Sequence, residues 1–83
     1  MDASDVNRLI ERSQSAHAAY RRAANPDSGT PNYPQAEQHV ALALDMLQQA
    51  HTADPEHRSS GWASLKVPYD TLLTFYTEYP LIP

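Results

Sequence analysis

Apolar and small residues recur at intervals of three and four in three separate stretches of this chain, and that spacing constrains its fold more than any other feature. In the first stretch, Val6, Leu9, Ile10, Ser13, Ala16, His17, Tyr20, Ala23 and Ala24 fall on one side of a helix over residues 4–24. Asp2 or Ser4 can cap its start by accepting from free backbone N–H groups. Arg21 and Arg22 sit at its end, where cations complement the helix dipole. The segment "NPDSGTPN" that follows, residues 25–32, is dense in turn formers and reads as a loop.

The second stretch predicts a helix over 33–53. Pro34 lies in its first turn, where a missing N–H costs nothing. Asn32 followed by Gln35 has the form of a capping box. Ala36, Val40, Ala43, Leu44, Leu47, Ala50 and His51 make its central stripe, while Leu42 and Met46 fall outside it. An apolar sector this wide belongs to a helix touched from two sides. Asp54 before Pro55 ends the pattern, because the residue preceding proline is pushed out of the helical region.

In the third stretch Trp62, Leu65, Tyr69, Leu72, Tyr76 and Tyr79 keep the same spacing straight across Pro68. A stripe that holds its phase through a proline favours one helix over 60–79, kinked at Pro68. The competing arrangement is a short helix over 60–66 and a second that begins with Pro68. Either way the expected fold is all-α: a single domain over 1–83, a small antiparallel three-helix bundle with an extended apolar tail, residues 80–83.

An 83-residue chain has a thin core, and small scaffolds recruit a disulfide, a metal or a second subunit. The absence of cysteine removes the first of these, together with thiolate metal sites and a cysteine nucleophile. It fits a reducing compartment, and no basic leader or apolar run of about 20 residues is present, so a cytoplasmic protein is expected. The net charge is −4, with Arg8, Arg12, Arg21 and Arg22 in the first quarter and acids in excess beyond it. Nucleic-acid affinity rests on basic residues that displace counterions from phosphates, so no nucleic-acid partner is expected.

Four histidines raise the question of a metal. His39 and His51 are twelve residues apart on one helix, about 18 Å along its axis, too far to share an ion. The run "HTADPEH" gathers His51, Asp54 and His57 at a helix end, which is the best ligand set available. Ligand count and spacing both fall short, Asp54 reads better as a helix stop beside Pro55 and the histidines as polar helix-end residues, so no native metal or cofactor is expected. His17, at the edge of a stripe, reads as a half-buried histidine bonded to an acceptor. No catalytic triad or phosphate-cradling glycine loop is present, so no enzymatic activity is expected.

Some apolar side chains do not fit the core stripes. Val67, Phe75, Leu42 and Met46 project away from them, and Tyr79 stands beside Phe75 near the chain's end. Together with Leu81 and Ile82 of the tail they make the expected interface with a second copy or another protein. The segment "ALALDMLQQAHTADPEH…WASLKVPY" adds a local likeness. Ala43, Leu47, Ala50 and Pro55, then Trp62, Leu65 and Tyr69 displaced by one residue, resemble the second helix of a tetratricopeptide repeat and the first helix of the next. Pro31, Pro34 and Pro68 depart from that pattern. The resemblance implies a protein-interaction scaffold. The expected function is therefore a small non-enzymatic interaction module, a homodimer or an accessory subunit, with a metal- or ligand-binding helical module at residues 51–57 as the alternative.

Overall fold

The computed structural model describes residues 2–78 and contains three α-helices, α1 (Ala3–Ala24), α2 (Tyr33–Ala53) and α3 (Tyr69–Glu78). A single 3₁₀ turn, Ser60–Ser64, lies between α2 and α3. Among the described residues there is no strand and no helix long and apolar enough to cross a membrane.

The ends of α1 and α2 form where the sequence places them. Asp2 Oδ1 accepts from the Asp5 N–H at 3.0 Å, and Asn25 closes α1 by donating its N–H to the Arg21 carbonyl. Half of the expected capping box is present: Asn32 Oδ1 accepts from Gln35 N–H, but Gln35 Oε1 accepts from Asn32 Nδ2 and not from the Asn32 backbone N–H. The Asn32 N–H donates instead to the Ala23 carbonyl, which draws the start of α2 against the end of α1.

The two long helices therefore run antiparallel, and small residues let them approach closely. Ala16 and Ala24 of α1 pack in one core with Ala36, Val40, Ala43 and Leu47 of α2, and Val6 and Ile10 pack with Ala50 at the other end. Ser13 is buried in this seam without orphaning its hydroxyl, which donates to the Ile10 carbonyl at 2.6 Å.

The all-α, three-helix arrangement is as expected, but the third segment is not one kinked helix over 60–79. Leu65 is extended (φ −68°, ψ 127°), and α3 begins only at Tyr69, with the Leu72 N–H returning to the Pro68 carbonyl. Pro68 lacks an N–H and its ring disfavours helix at Val67, so the break is complete. The 3₁₀ turn is held instead by α1: Asn7 Oδ1 accepts from the Gly61 N–H at 2.8 Å, and Gln14 Nε2 donates to Ser64 Oγ at 3.0 Å. Trp62, Leu65, Tyr69, Leu72 and Tyr76 still all pack on the core. Their spacing reflects shared burial across separate elements. The expected tail, with Tyr79, Leu81 and Ile82, lies outside the described residues.

Candidate functional site

A cleft runs between α1 and α3. Whereas α2 meets α1 through small side chains, α3 reaches α1 through large rings. His17 lies 5.8 Å from Tyr76 and 6.3 Å from Phe75 between ring centroids, and Tyr20 lies 5.9 Å from Phe75. The extended linker carrying Lys66 and Val67 passes beside them. Two adjoining cavities result, of about 320 and 360 Å³, and both are lined by His17, Arg21, Val67 and Leu72.

His17 Nδ1 and Tyr76 Oη are 2.7 Å apart at the centre of this cleft. Burial pushes the Tyr76 phenol up to about 12, so it keeps its proton. Burial first, and then the Arg21 guanidinium, push the His17 imidazole below its ordinary value, so the ring is neutral at pH 7. Tyr76 is buried and has no other acceptor among the described residues, so its O–H donates to Nδ1. The remaining proton of the neutral ring then sits on Nε2, which is a donor. His17 is half-buried and bonded as expected, but its partner, a tyrosine 59 residues away, donates to it and is not the expected acceptor.

A second cluster closes the far end of α2. The Asp54 carboxylate accepts from the N–H groups of Arg58 and Ser59 and from Trp62 Nε1, at 3.0, 2.9 and 2.8 Å. Those bonds, the Ser59 and Arg58 N–H groups foremost, hold its carboxyl far below the usual range. The His57 ring stacks on Trp62 at 3.8 Å, and His51 stacks on Tyr69 at 4.9 Å. His51 Nδ1 and His57 Nε2 face each other at 2.8 Å, sharing a proton. Asp54 is thus committed to the turn and the indole, while the two histidines are committed to each other. No group of three His, Cys, Asp or Glu side chains among the described residues is placed to hold a metal ion.

The flank of the α1–α2 hairpin opposite α3 forms a third feature. His51 faces α3, and Leu42 is nine residues before it, so at about 100° per residue the two point to opposite sides of α2. Met46 lies on the Leu42 side. By the same phase Ala19 and Ala23 lie on the side of α1 away from His17. Leu42 is 45% exposed, while Met46, Leu9, Ala19 and Ala23 are half-buried, and no further helix covers them among the described residues.

No protein-family model, curated protein or solved structure matches this chain. The tetratricopeptide likeness accordingly rests on local spacing, and the fold divides the residues that carry it. Trp62 lies in the 3₁₀ turn, Leu65 in the linker and Tyr69 at the start of α3, where the repeat would put all three on one helix.

The residues expected to form one interface occupy two faces. Val67 and Phe75 pack on the core and line the α1–α3 cleft, whereas Leu42 and Met46 lie on the opposite flank. Sequence reasoning did not find the cleft. Arg21 was read only as a partner for the helix dipole, and neither Lys66 nor Tyr76 was assigned to any site. The juxtaposition of Arg21, Lys66 and His17 depends on where α3 and its linker dock, which no local pattern encodes.

Proposed function

We propose that this chain is a small non-enzymatic interaction module that pairs with a second copy of itself through the uncovered flank of the α1–α2 hairpin. The observation that carries the reading is Leu42, a large exposed aliphatic beside Met46, Leu9, Ala19 and Ala23. With α1 of 22 residues and α2 of 21, this flank measures roughly 33 Å by 20 Å, or about 650 Å² per copy. Stable interfaces bury about 800 Å² per partner, so the area is of the right size.

Charge favours a second copy as occupant. Outside the cleft, helix α1 carries Arg8, Arg12 and Arg22 against Asp5 and Glu11, while α2 carries Glu37 and Asp45 and no lysine or arginine. A two-fold axis parallel to the helices lays α1 of one copy on α2 of the other, antiparallel, with positive facing negative. The product is a four-helix arrangement in which all neighbours are antiparallel.

Sedimentation equilibrium over a wide concentration range tests this. The wild-type chain should sediment as a dimer, and Leu42→Glu as a monomer with unchanged far-UV circular dichroism. Two Leu42 side chains leave water per dimer, each already more than half covered and so worth about 1 kcal/mol, and dissociation should strengthen by roughly thirtyfold. A wild-type monomer at every concentration, or a Leu42→Glu dimer of undiminished affinity, would refute the pairing.

A further inference from the structure

The cleft between α1 and α3 has a chemistry that the pairing surface does not use. Its two cavities share His17, Arg21, Val67 and Leu72 as a common wall, and each is at the small end of the range for small-molecule sites, about 300–1,000 Å³. At roughly 30 Å³ per water-sized atom, the part lined by Leu65 and Lys66 has room for about ten non-hydrogen atoms.

Its walls are apolar where Leu65, Val67 and Leu72 form them, and the charged side chains among them are Arg21 and Lys66. Among the described residues no carboxylate lines either cavity, in a chain whose net charge is −4. Asp70, on the first turn of α3, lines a separate dent with Thr71, Thr74 and Phe75. Among the described residues the one ion pair joins Arg58 to Glu56, so Arg21 and Lys66 are not neutralised by each other's neighbours.

The histidine adds to the same polarity. Because the Tyr76 hydroxyl donates to Nδ1, the His17 ring, which lines both cavities, carries an N–H at Nε2 and no free lone pair. Guanidinium, ammonium and imidazole N–H are all donors, and the first two are cations. A bound cation would meet repulsion there, and a neutral apolar molecule would leave two charges without a counterpart.

We propose that this cleft binds a small anion with an apolar body, of the class of a medium-chain carboxylate, its carboxylate held by Arg21, Lys66 and His17 and its chain lying on Leu65, Val67 and Leu72. The ligand class follows from both halves of the wall: the donors select a carboxylate, and the apolar floor selects a chain over a bare ion. Arg21 stands beside a ring that burial and its own charge keep neutral. An anion placed between them offsets that charge, so binding favours protonation of His17.

Sodium octanoate, with ten non-hydrogen atoms, is the probe, titrated into the full chain and followed by amide and histidine NMR. The expected result is saturable shifts concentrated at Ala18, Arg21, Lys66, Val67 and Leu72. The His17 titration midpoint should rise as the site fills, which a merely structural His17–Tyr76 bond would not produce. Octylammonium and inorganic phosphate should each bind at least tenfold more weakly. Arg21→Gln or Lys66→Gln should weaken octanoate about three- to tenfold, and both residues are exposed, so the variants keep the fold. Octylammonium binding as well as octanoate would reduce the cleft to a nonspecific apolar groove and overturn the proposal. Phosphate binding equally well would show that the floor contributes nothing, and failure to saturate would show that there is no site.

Discussion

Replacing Gly61 by alanine should destabilise the fold by about 2 kcal/mol, and removing the Asn7 side chain in the same molecule should relieve part of that cost. Gly61 is where the 3₁₀ turn comes down onto α1. A β-carbon there would stand 2.6 Å from Asn7 Oδ1, 3.0 Å from Ile10 Cδ1 and 3.3 Å from Asn7 Cα. The amide oxygen can swing away, but it is also the acceptor of the Gly61 N–H, and moving it forfeits a hydrogen bond of about 1 kcal/mol. Ile10 is fully buried, so its δ-methyl has no free volume to retreat into. That crowding adds about 1 kcal/mol, the low end of the usual cost of overpacking.

For a domain of this size each kcal/mol moves the melting midpoint by roughly 4–8 °C, so Gly61→Ala should melt about 8–16 °C lower. Melts would be followed by far-UV circular dichroism at one fixed protein concentration, because self-association makes the midpoint concentration-dependent. In an Asn7→Ala background the hydrogen bond and the closest contact are already gone, and Gly61→Ala should then cost only about 1 kcal/mol. Gly29→Ala is the control. Gly29 has φ +96° and nothing within 4 Å of an added β-carbon, so its cost of about 1 kcal/mol comes from the backbone alone and does not couple to Asn7. A Gly61→Ala variant as stable as wild type, or one equally damaged in both Asn7 backgrounds, would show that the turn does not sit on α1 in this way.

Two further perturbations read the buried polar groups through pH. The Asp54 carboxyl is held below its ordinary value of 3.8, so its contribution to stability is present above that pH and lost as pH falls further; Asp54→Asn should flatten this acid limb and shift Trp62 fluorescence in the folded state. The Tyr76 phenol is raised from 10 to about 12, so its contribution is present below pH 10 and lost as pH rises towards 12; denaturant midpoints should fall across that window and Tyr76→Phe should reduce the fall, leaving the part due to Tyr69, whose phenol burial also raises.

The parts of this fold legible in the sequence are those decided within a few residues. Asp2, the Asn32–Gln35 pair and the Asp54–Pro55 stop each act on their own helix end, and the alanines of α1 and α2 announce a close-packed hairpin. The third segment was misjudged because Trp62, Leu65, Tyr69, Leu72 and Tyr76 keep a helical interval without sharing a helix. The Asn7–Gly61 and Gln14–Ser64 bonds that hold the first of its pieces join residues 54 and 50 positions apart. Asp54 was legible as a stop, but not as the acceptor for an indole eight residues on. Leu42 lies off its stripe and is exposed, whereas Phe75, expected to project from its own, packs against Tyr20 on the core. Which flank each then faces depends on which side of the hairpin α3 takes, and a single helix's periodicity does not hold that information.

The site and the weakest element of the fold are therefore the same place. Helix α3 has 10 residues, short of the roughly 12–15 an isolated helix needs to persist in water, so its stability is borrowed from docking. It docks by rings at both ends: Tyr69 against His51, His57 and Trp62, and Tyr76 with Phe75 against His17 and Tyr20. Between those two anchors the linker and α3 stand off from α1, and that gap is the cleft. The hairpin, joined by small residues along most of its length, has no comparable gap and is the more resistant unit. Any molecule that fills the cleft must touch His17 and Arg21 on α1 together with Val67 and Leu72 on the other wall, so it adds contacts across the joint that has fewest of them. Binding and the docking of α3 are then one equilibrium, and loosening the Tyr69 anchor, none of whose rings lines either cavity, weakens the site from a distance.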